Sequence, residues 1–129
     1  GNNANNSGDM VYYCFAPVAG YSAFGSYTGN GSSDGTFVYT GFKVKFLIIK
    51  QDGTNGWFMW DTKRDSLNPN TALFSANASN TEQSQANHAI DFLSNGFKTR
   101  DSNGAFNGSG NDYVYIAFAE NPFKTARAR

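Results

Sequence analysis

The sequence predicts an all-β fold, an antiparallel β-sandwich, and three observations support this prediction. Turn-forming residues recur along the 129-residue chain, which contains 14 Gly and 16 Asn. Short apolar segments lie between these turns, and each is long enough for one strand of a sheet. No segment sustains the apolar repeat of an amphipathic helix. We therefore expect a single sandwich domain over residues 1–129.

Aromatic side chains supply most of the expected core, because the chain contains 12 Phe, 7 Tyr and 2 Trp. Each of these side chains buries on the order of 150–250 Å² when it enters a core. Ten basic residues balance ten acidic residues, whereas a nucleic-acid partner requires a basic surface. The longest apolar run, residues 46–49, is far too short to span a bilayer. We therefore expect neither nucleic acid nor membrane as a partner.

Alternating or continuous apolar segments predict the individual strands. Residues 21–28 are expected to form a short strand or an ordered aromatic loop, and residues 72–74 a short apolar piece. Residues 77–87 are polar, and a helical turn that begins at residues 81–83 is not sustained. Strands are predicted at residues 10–16, 36–40 (an edge strand), 42–50, 57–61, 89–93, 97–100 and 112–120.

The segment at residues 112–120 is apolar on both sides of an extended chain, which predicts a central strand covered on both faces. Residues 9–16 align with residues 112–119 without gaps, and five of the eight positions are identical. The two segments are neighbours in one sheet, or residues 9–17 are the closing strand of a preceding repeat, or the similarity is chance. Residues 1–8 are Asn-rich and expected to be flexible.

The single cysteine and the single histidine are both expected to be structural. Cys14 excludes an internal disulfide, and its alignment with Ala117 predicts a small buried core residue. His88 lies in the polar triplet Asn-His-Ala and is expected to face solvent. Without a second histidine or a nucleophile motif, neither a zinc site nor a Ser-His-Asp triad is predicted.

The carboxylates offer no obvious catalytic pair. Asp61 and Asp65 are the most distinctive pair, but Lys63 and Arg64 lie between them. We expect ion pairing and loop capping there rather than acid–base catalysis, with Arg64 clamping one of the two carboxylates and ordering residues 62–70. No catalytic residue is therefore predicted.

A calcium site requires clustered oxygen ligands from Asp and Asn residues in loops. Six candidates lie in loops that could converge: Asp52, Asn55, Asp101, Asn103, Asn111 and Asp112. Their spacing matches no known calcium-loop motif, so the sequence favours a protein without a metal or other cofactor.

Several segments of the chain resemble phage and marine-virus tail-fibre or virion-surface domains. They are I-D-F-L-S-N-G-F-K (90–98), S-N-G-A-F-N-G-S-G (102–110) and Y-V-Y-I-A-F-A-E-N-P-F (113–123), together with residues 18–31, 40–50 and 60–65. The resemblance implies a jelly-roll sandwich of the concanavalin A-like lectin/glucanase (LamG-like) type in a virion or extracellular location. It supplies no catalytic motif that can be placed on these positions.

The resemblance implies a non-enzymatic module for adhesion or host recognition, whose partner is a host-surface glycan or receptor. A sugar site on such a sandwich uses exposed aromatic rings beside polar groups, and the candidates are Tyr21, Tyr27, Trp57, Trp60, Asp61 and Arg64. Against this, residues 57–60 are expected in the core, which leaves at most one Trp exposed. The alternatives are a purely structural virion subunit, packed as a homo-oligomer or against neighbouring subunits, and a polysaccharide-degrading enzyme.

Overall fold

A computed structural model describes residues 14–84 and 86–122. These residues form nine strands and one short 3-10 helix, and none of the described helices is long and apolar enough to cross a membrane. The strands are β1 (Ser22–Thr28), β2 (Phe37–Tyr39), β3 (Val44–Gln51), β4 (Trp57–Asp61), β5 (Ala72–Ser75), β6 (Gln83–Ser84), β7 (Ile90–Leu93), β8 (Gly96–Thr99) and β9 (Asp112–Ala119); the 3-10 helix is Ala86–His88.

The strands form two antiparallel sheets that pack face to face as a sandwich. The larger sheet has the order β1-β9-β3-β4-β5-β6, and the smaller has the order β2-β8-β7. Every strand pair is antiparallel. The predicted antiparallel β-sandwich is therefore confirmed, including β2 as an edge strand.

The core between the sheets is rich in aromatic residues, as predicted. Tyr27 packs edge-on against Phe97 with ring centroids 5.9 Å apart, and Phe97 packs edge-on against Tyr115 at 5.5 Å. Fully buried aliphatic side chains fill the space around these rings, among them Leu47 and Ile49 of β3. Alternate residues of each strand point into this layer, which is why strands that looked continuously apolar still have distinct faces.

Strand β9 is central, but only one of its faces is covered. Tyr113 and Ala117 are completely buried in the core, whereas Val114, which points the other way, is 47% exposed. We call the face of the six-stranded sheet that is turned away from the three-stranded sheet its outer face. In the described residues, no further layer covers this outer face. The predicted coverage on both faces is therefore wrong, because a two-layer sandwich buries each sheet on one side only.

Both edges of β9 are occupied by other strands. β1 pairs with it along Ser22–Thr28, and β3 pairs with it along Val44–Gln51. Among the described residues, β1 and β3 are therefore the sheet neighbours of β9. Of the segment 9–16, residues 9–13 lie outside the described residues, as do residues 1–8, and residues 14–16 are not in a strand.

Cys14 is exposed, so the predicted core position is wrong. The prediction assumed that the similarity to β9 extended to the environment of each residue, but residues 14–16 do not enter the core between the sheets. The other segments that the sequence left open are now defined. Residues 22–28 are strand β1, and the polar stretch carries the two-residue strand β6 before the 3-10 helix.

Candidate functional site

A cleft of about 280 Å³ opens at the end of the sandwich where β4 ends and β3 begins. Its volume lies close to the lower end of small-molecule pockets, which is roughly 300 Å³. The 62–71 loop, which connects β4 to β5, forms one wall. Residues from the start of β3, the end of β9 and strand β7 form the rest. The lining residues are Lys43, Thr62, Asp65, Ser66, Leu67, Asn68, Phe92 and Glu120.

Asp61 fixes the beginning of the 62–71 loop. Its carboxylate accepts hydrogen bonds from the backbone N–H groups of Lys63 (2.9 Å) and Arg64 (3.0 Å). Burial raises the pKa of Asp61, but these two hydrogen bonds and the Arg64 charge outweigh it and hold the pKa below its usual value. The Arg64 guanidinium lies 2.6 Å from the carboxylate and also stacks over the Phe74 ring at 3.9 Å. The predicted clamp of Arg64 on Asp61 is therefore present.

Asp65 and Asn70 fix the middle and the end of the loop. The Asp65 carboxylate accepts hydrogen bonds from the N–H groups of Leu67 (3.3 Å) and Thr71 (2.9 Å). Asn70 is completely buried, and its amide donates to the carbonyl groups of Asp61 (3.0 Å) and Asp65 (2.7 Å). Both oxygens of Asp65 thus hold the loop backbone, in keeping with the predicted capping role.

The loop is also attached to the smaller sheet. The Asn68 side chain donates to the Phe92 carbonyl and accepts from the Phe92 N–H, both at 2.9 Å, as a neighbouring strand would. The Asn70 backbone pairs in the same way with Ile90. These contacts join the two sheets along one side and hold the wall of the cleft in place.

The inside of the cleft combines an ion pair with one buried hydroxyl group that lacks a partner among the described residues. Lys43 lies 2.7 Å from Glu120, and the hydrogen bond and charge of Lys43, helped by Lys45, lower the pKa of Glu120. The Thr62 hydroxyl is buried and has no hydrogen-bond partner among the described residues. Leu67 is 75% exposed at the rim. The cleft therefore presents both polar groups and an apolar edge to a ligand.

The structure separates the six residues predicted to bind a ligand. Trp60 and Tyr27 point into the core, where the Trp60 indole donates to the His88 carbonyl and the Tyr27 hydroxyl to the Phe106 carbonyl. Neither ring is available at the surface, so these two assignments are wrong. The cause is strand alternation, which turns residues 58 and 60 inward and residues 57, 59 and 61 outward.

The remaining four candidates lie outside the core but do not converge. Asp61 and Arg64 pair at the start of the 62–71 loop but do not line the cleft. Trp57 lies at the opposite end of β4, and Tyr21 packs against Phe118 beside β1. Trp57 is 41% exposed, so the expectation of at most one exposed Trp is confirmed. No aromatic platform gathers these residues into one sugar site.

The outer face of the larger sheet is unusually apolar for a face without a covering layer. Paired positions place one apolar residue from each of five adjacent strands in a row across this face: Phe24, Ile116, Ile48, Met59 and Phe74. The next row contains Phe46 and Phe118, whose ring centroids lie 6.4 Å apart. Contiguous apolar surface of this kind marks an interaction face more often than a solvated one.

The six calcium candidates do gather at the other end of the sandwich. The Asp52 N–H donates to the Asp112 carbonyl at 2.8 Å, and the Asn55 amide lies 3.4 Å from the Gly104 carbonyl. Side-chain oxygens of this group already accept hydrogen bonds within the protein: Asp101 caps the N–H of Asn103 at 2.8 Å, and Asp112 accepts the Thr28 hydroxyl at 2.7 Å. Among the described residues, no group of three or more His, Cys, Asp or Glu side chains could hold a metal ion.

Asn107, which the sequence analysis did not single out, organises this end. It is completely buried, and its side-chain amide donates to Asn30 (3.1 Å), Ser32 (2.9 Å) and Asp101 (2.8 Å). Its side-chain carbonyl accepts the N–H of Asn30 at 3.2 Å. The chain contains 16 Asn residues, and nothing in the local sequence distinguishes Asn107 from the others.

His88 is 8% exposed, so the predicted solvent-facing position is wrong. The short 3-10 helix turns the side chain inward, where it packs edge-on against Phe106 with ring centroids 6.4 Å apart. Burial lowers the pKa of His88, and the charge of Asp101 offsets this only in part. Its Nδ1 atom has no hydrogen-bond partner within the described ranges. The polar neighbours in sequence gave no indication of this burial.

The family model that matches this chain is described as a domain of unknown function (DUF7483), and it covers residues 1–122. The chain therefore belongs to the DUF7483 family. No curated protein and no solved structure matches it.

Proposed function

We propose that this member of the DUF7483 family is a non-enzymatic recognition module of a viral (phage) surface or tail-fibre protein. In this proposal it binds a carbohydrate on the host surface, and the cleft beside the 62–71 loop is the binding site. The observation that carries the proposal is the cleft itself, which is concave and held open by the hydrogen bonds of Asp61, Asp65, Asn68 and Asn70. A site ordered before binding loses little conformational entropy when a ligand enters.

The chemistry of the cleft suits a sugar ring better than a wholly apolar or a wholly ionic ligand. A sugar carries hydroxyl groups that donate and accept hydrogen bonds, and an apolar C–H face. The Lys43–Glu120 pair in the cleft offers charged donors and acceptors to the sugar hydroxyl groups. Leu67 at the rim offers an apolar contact for the C–H face.

The state of the carboxylates supports binding without hydrolysis. A glycosidase requires a general acid with a raised pKa beside a second carboxylate. Asp61 and Glu120 instead have lowered pKa values. Asp65 uses both oxygens to hold the loop backbone. Lowered pKa values keep Asp61 and Glu120 ionised near neutral pH, so neither acts as a general acid there.

The viral setting rests on the resemblance of residues 90–98, 102–110 and 113–123 to virion-surface domains. In this proposal the protein lies on a virion or otherwise outside the cell, and its partner is a host glycan or receptor. The jelly-roll, concanavalin A-like classification belongs to the same proposal.

A glycan array probed with the labelled domain tests the proposal, followed by an NMR titration with any glycan that binds. We expect backbone shifts to concentrate at Lys43, Ser66, Leu67 and Glu120. Leu67→Ala should weaken binding about tenfold, because losing a buried leucine contact of roughly 1.5–3 kcal/mol costs at least one factor of ten in affinity.

Tyr39→Ala is the matched control, because Tyr39 is also a highly exposed large apolar residue, but it lies on the smaller sheet. Binding by Tyr39→Ala should equal that of the unmodified domain. Absence of binding across the array, or a loss with Tyr39→Ala but not with Leu67→Ala, contradicts the proposed site.

A second candidate function, a structural virion subunit, is favoured by the apolar outer face of the larger sheet. If neighbouring subunits pack there, Val114→Lys should lower the yield of assembled particles. Val114 is exposed in the isolated domain, so the thermal stability of that domain should not change. Normal assembly with Val114→Lys counts against this function.

A further inference from the structure

Three lysine side chains surround the Glu120 carboxylate at the cleft. One of its oxygens lies 2.7 Å from the Lys43 ammonium, and the other lies 3.8 Å from the Lys45 ammonium. The hydrogen bond from Lys43 lowers the pKa of Glu120 most, and the charges of Lys43, Lys45 and Lys63 lower it further, against the opposing effect of burial. Lys63 is therefore a third positive charge near this carboxylate.

Backbone hydrogen bonds bring the three lysines together. The Glu120 N–H donates to the Lys43 carbonyl at 2.9 Å, and the Thr62 N–H donates to the Lys45 carbonyl at 3.1 Å. Lys63 follows Thr62 directly in the chain, so the second hydrogen bond also fixes the start of the 62–71 loop beside Lys45. The positions of the lysines are therefore set by the backbone of the fold.

A bulge in β3 gives Lys45 its direction. The register between β3 and β9 shifts between Val44 and Phe46, which makes Lys45 the extra residue of the bulge. Val44 and Leu47, on its two sides, are both completely buried in the core. Bulges redirect side chains in this way and are frequent next to active sites. The Lys45 ammonium thereby reaches the cleft end of β9 while the core contacts of β3 are kept.

Positive charge exceeds negative charge in and directly around the cleft. Two carboxylates line it, those of Glu120 and Asp65, whereas three lysines act on Glu120. Arg64 pairs with Asp61 at 2.6 Å and with Glu82 at 3.5 Å, and these three residues do not line the cleft. An anion that enters the cleft is therefore attracted by the surrounding charges.

The hydrogen-bond acceptors in the wall of the cleft are already used within the protein. The Asp65 carboxylate accepts two backbone N–H groups, and the Asn68 side-chain carbonyl accepts the Phe92 N–H. Both oxygens of Glu120 face lysines. The Lys43 ammonium, by contrast, carries three N–H donors on a side chain that is 50% exposed. The cleft therefore suits a ligand group that only accepts hydrogen bonds, as a carboxylate does.

On the basis of the proposed function, we propose that the sugar bound in the cleft is acidic: its carboxylate accepts hydrogen bonds from the Lys43 ammonium, and its ring lies against Leu67. Lys45 and Lys63 offset the repulsion between Glu120 and the carboxylate of the ligand. Because a charge-assisted hydrogen bond is roughly twice as strong as a neutral one, the carboxylate decides which sugars bind.

Matched oligosaccharides on the glycan array test this specificity. One set contains glucuronate, and the other set is its carboxyl-reduced form, in which each glucuronate has become glucose. The unmodified domain should bind the glucuronate set about tenfold more tightly. Equal binding, or tighter binding of the reduced set, overturns the acidic specificity but leaves the proposed function in place. Binding of no glycan on the array overturns both.

Lys43→Met removes the charge that is expected to hold the carboxylate. It should lower the affinity for the glucuronate set about tenfold, because a hydrogen bond to a charged group is lost. Lys43→Arg keeps the charge and should keep the affinity. Lys98→Met is the matched control, because Lys98 is also ion-paired, with Asp34, but lies on the smaller sheet. Unchanged affinity with Lys43→Met, or an equal loss with Lys98→Met, contradicts the assigned role of Lys43.

Glu120→Gln gives a test of opposite sign. It removes the negative charge beside the carboxylate of the ligand and keeps the shape of the side chain, so the affinity for the glucuronate set should rise about threefold. A neutral sugar that bonds to the Glu120 carboxylate would instead bind more weakly to this variant. Unchanged or lower affinity for the glucuronate set overturns the proposal.

If these variants do not fold, the salt dependence of the unmodified domain decides the question. Raising the ionic strength from about 0.01 to 0.15 M shortens the screening length from about 30 to 8 Å. The affinity for the glucuronate set should then fall several-fold, while that for the reduced set stays constant. Constant affinity for the glucuronate set refutes a bond to the lysine charge.

Discussion

The two ends of the sandwich are both built from loops rich in Asn and Asp, but these loops are used differently at the two ends. At the closed end, where the six calcium candidates gather, the buried Asn107 side chain makes four hydrogen bonds to the surrounding loops. Gly29 lies so close to Gly108 that an added Cβ would be 2.4 Å from its carbonyl oxygen. Side chains and backbone fill this end.

At the cleft end, the same residue types hold a loop in place without filling the space beside it. Asn70 is as deeply buried as Asn107 and also bonds to two carbonyl groups. The Thr62 hydroxyl nevertheless remains without a partner in the described part of the chain. Polar loops alone therefore do not identify a binding site. A binding site is indicated where an ordered backbone encloses a cleft and hydrogen-bonding groups in its wall lack partners.

The largest effect on stability is expected at the closed end. Asn107→Ala removes four hydrogen bonds of a completely buried side chain and leaves part-buried partners unsatisfied, so the free energy of unfolding should fall by roughly 3 kcal/mol. Urea unfolding measures the change. Asn80→Ala is the matched control, because Asn80 is exposed, and it should stay within about 0.5 kcal/mol of the unmodified protein. A similarly small effect of Asn107→Ala would show that this end is not organised by its amide.

Asn70→Ala should lower the free energy of unfolding by roughly 2 kcal/mol, because its amide bonds to the carbonyls of Asp61 and Asp65 are lost. Unlike Asn107→Ala, it should also abolish glycan binding by the folded domain, since the wall of the cleft is released. Urea unfolding and the glycan titration measure the two effects. If folded Asn70→Ala and folded Asn107→Ala bind the glycan with equal affinity, the two ends do not differ in their role in ligand binding.

Lowering the pH should reduce the free energy of unfolding through different groups at the two ends. This effect is smaller than that of either Asn variant. The pKa of His88 is lowered from 6.5 by burial, so the unfolded chain binds the proton more tightly than the folded chain does. Stability is then complete above about pH 6.5 and falls as the pH drops below it. His88→Leu should remove this loss, which urea unfolding at a series of pH values would reveal.

At the cleft end, the titrating groups should reduce the free energy of unfolding only at a lower pH than His88 does. Asp61 and Glu120 have pKa values below their usual 3.8 and 4.5, so they stabilise the folded protein above that range and stop doing so as the pH falls through their folded values. If the free energy of unfolding of His88→Leu still falls between about pH 6.5 and 5, a group other than His88 titrates in this range.

Much of the fold could be predicted from local sequence, because strand alternation and turn residues are local properties. Trp57 to Asp61 form the predicted strand, and alternation exposes one Trp while burying the other. His88 was misplaced because the direction of a side chain in a single 3-10 turn depends on packing, here against Phe106. Cys14 was misplaced because similarity to Ala117 says nothing about which segment occupies the place beside β9.

The cleft could not be predicted, because its residues come from segments far apart in the chain. Lys43 and Glu120 are adjacent only because β3 and β9 pair antiparallel. Phe92 joins them from the other sheet. The contact between Asp61 and Arg64 spans three residues and could be predicted, but it supports the 62–71 loop rather than lining the cleft. Contacts that depend on strand pairing have no local sequence pattern and could not be predicted.

The smallest stability effect is expected for Leu67→Ala, the variant that most directly separates folding from binding at the cleft. Leu67 is 75% exposed, so its truncation should change the free energy of unfolding by less than about 0.5 kcal/mol. The Leu67 N–H still bonds to Asp65 after the change, so the loop keeps its conformation. Thermal unfolding should therefore be unchanged while glycan affinity falls. If stability falls as well, Leu67 supports the loop rather than the ligand, and the cleft end resembles the closed end more closely than its open space implies.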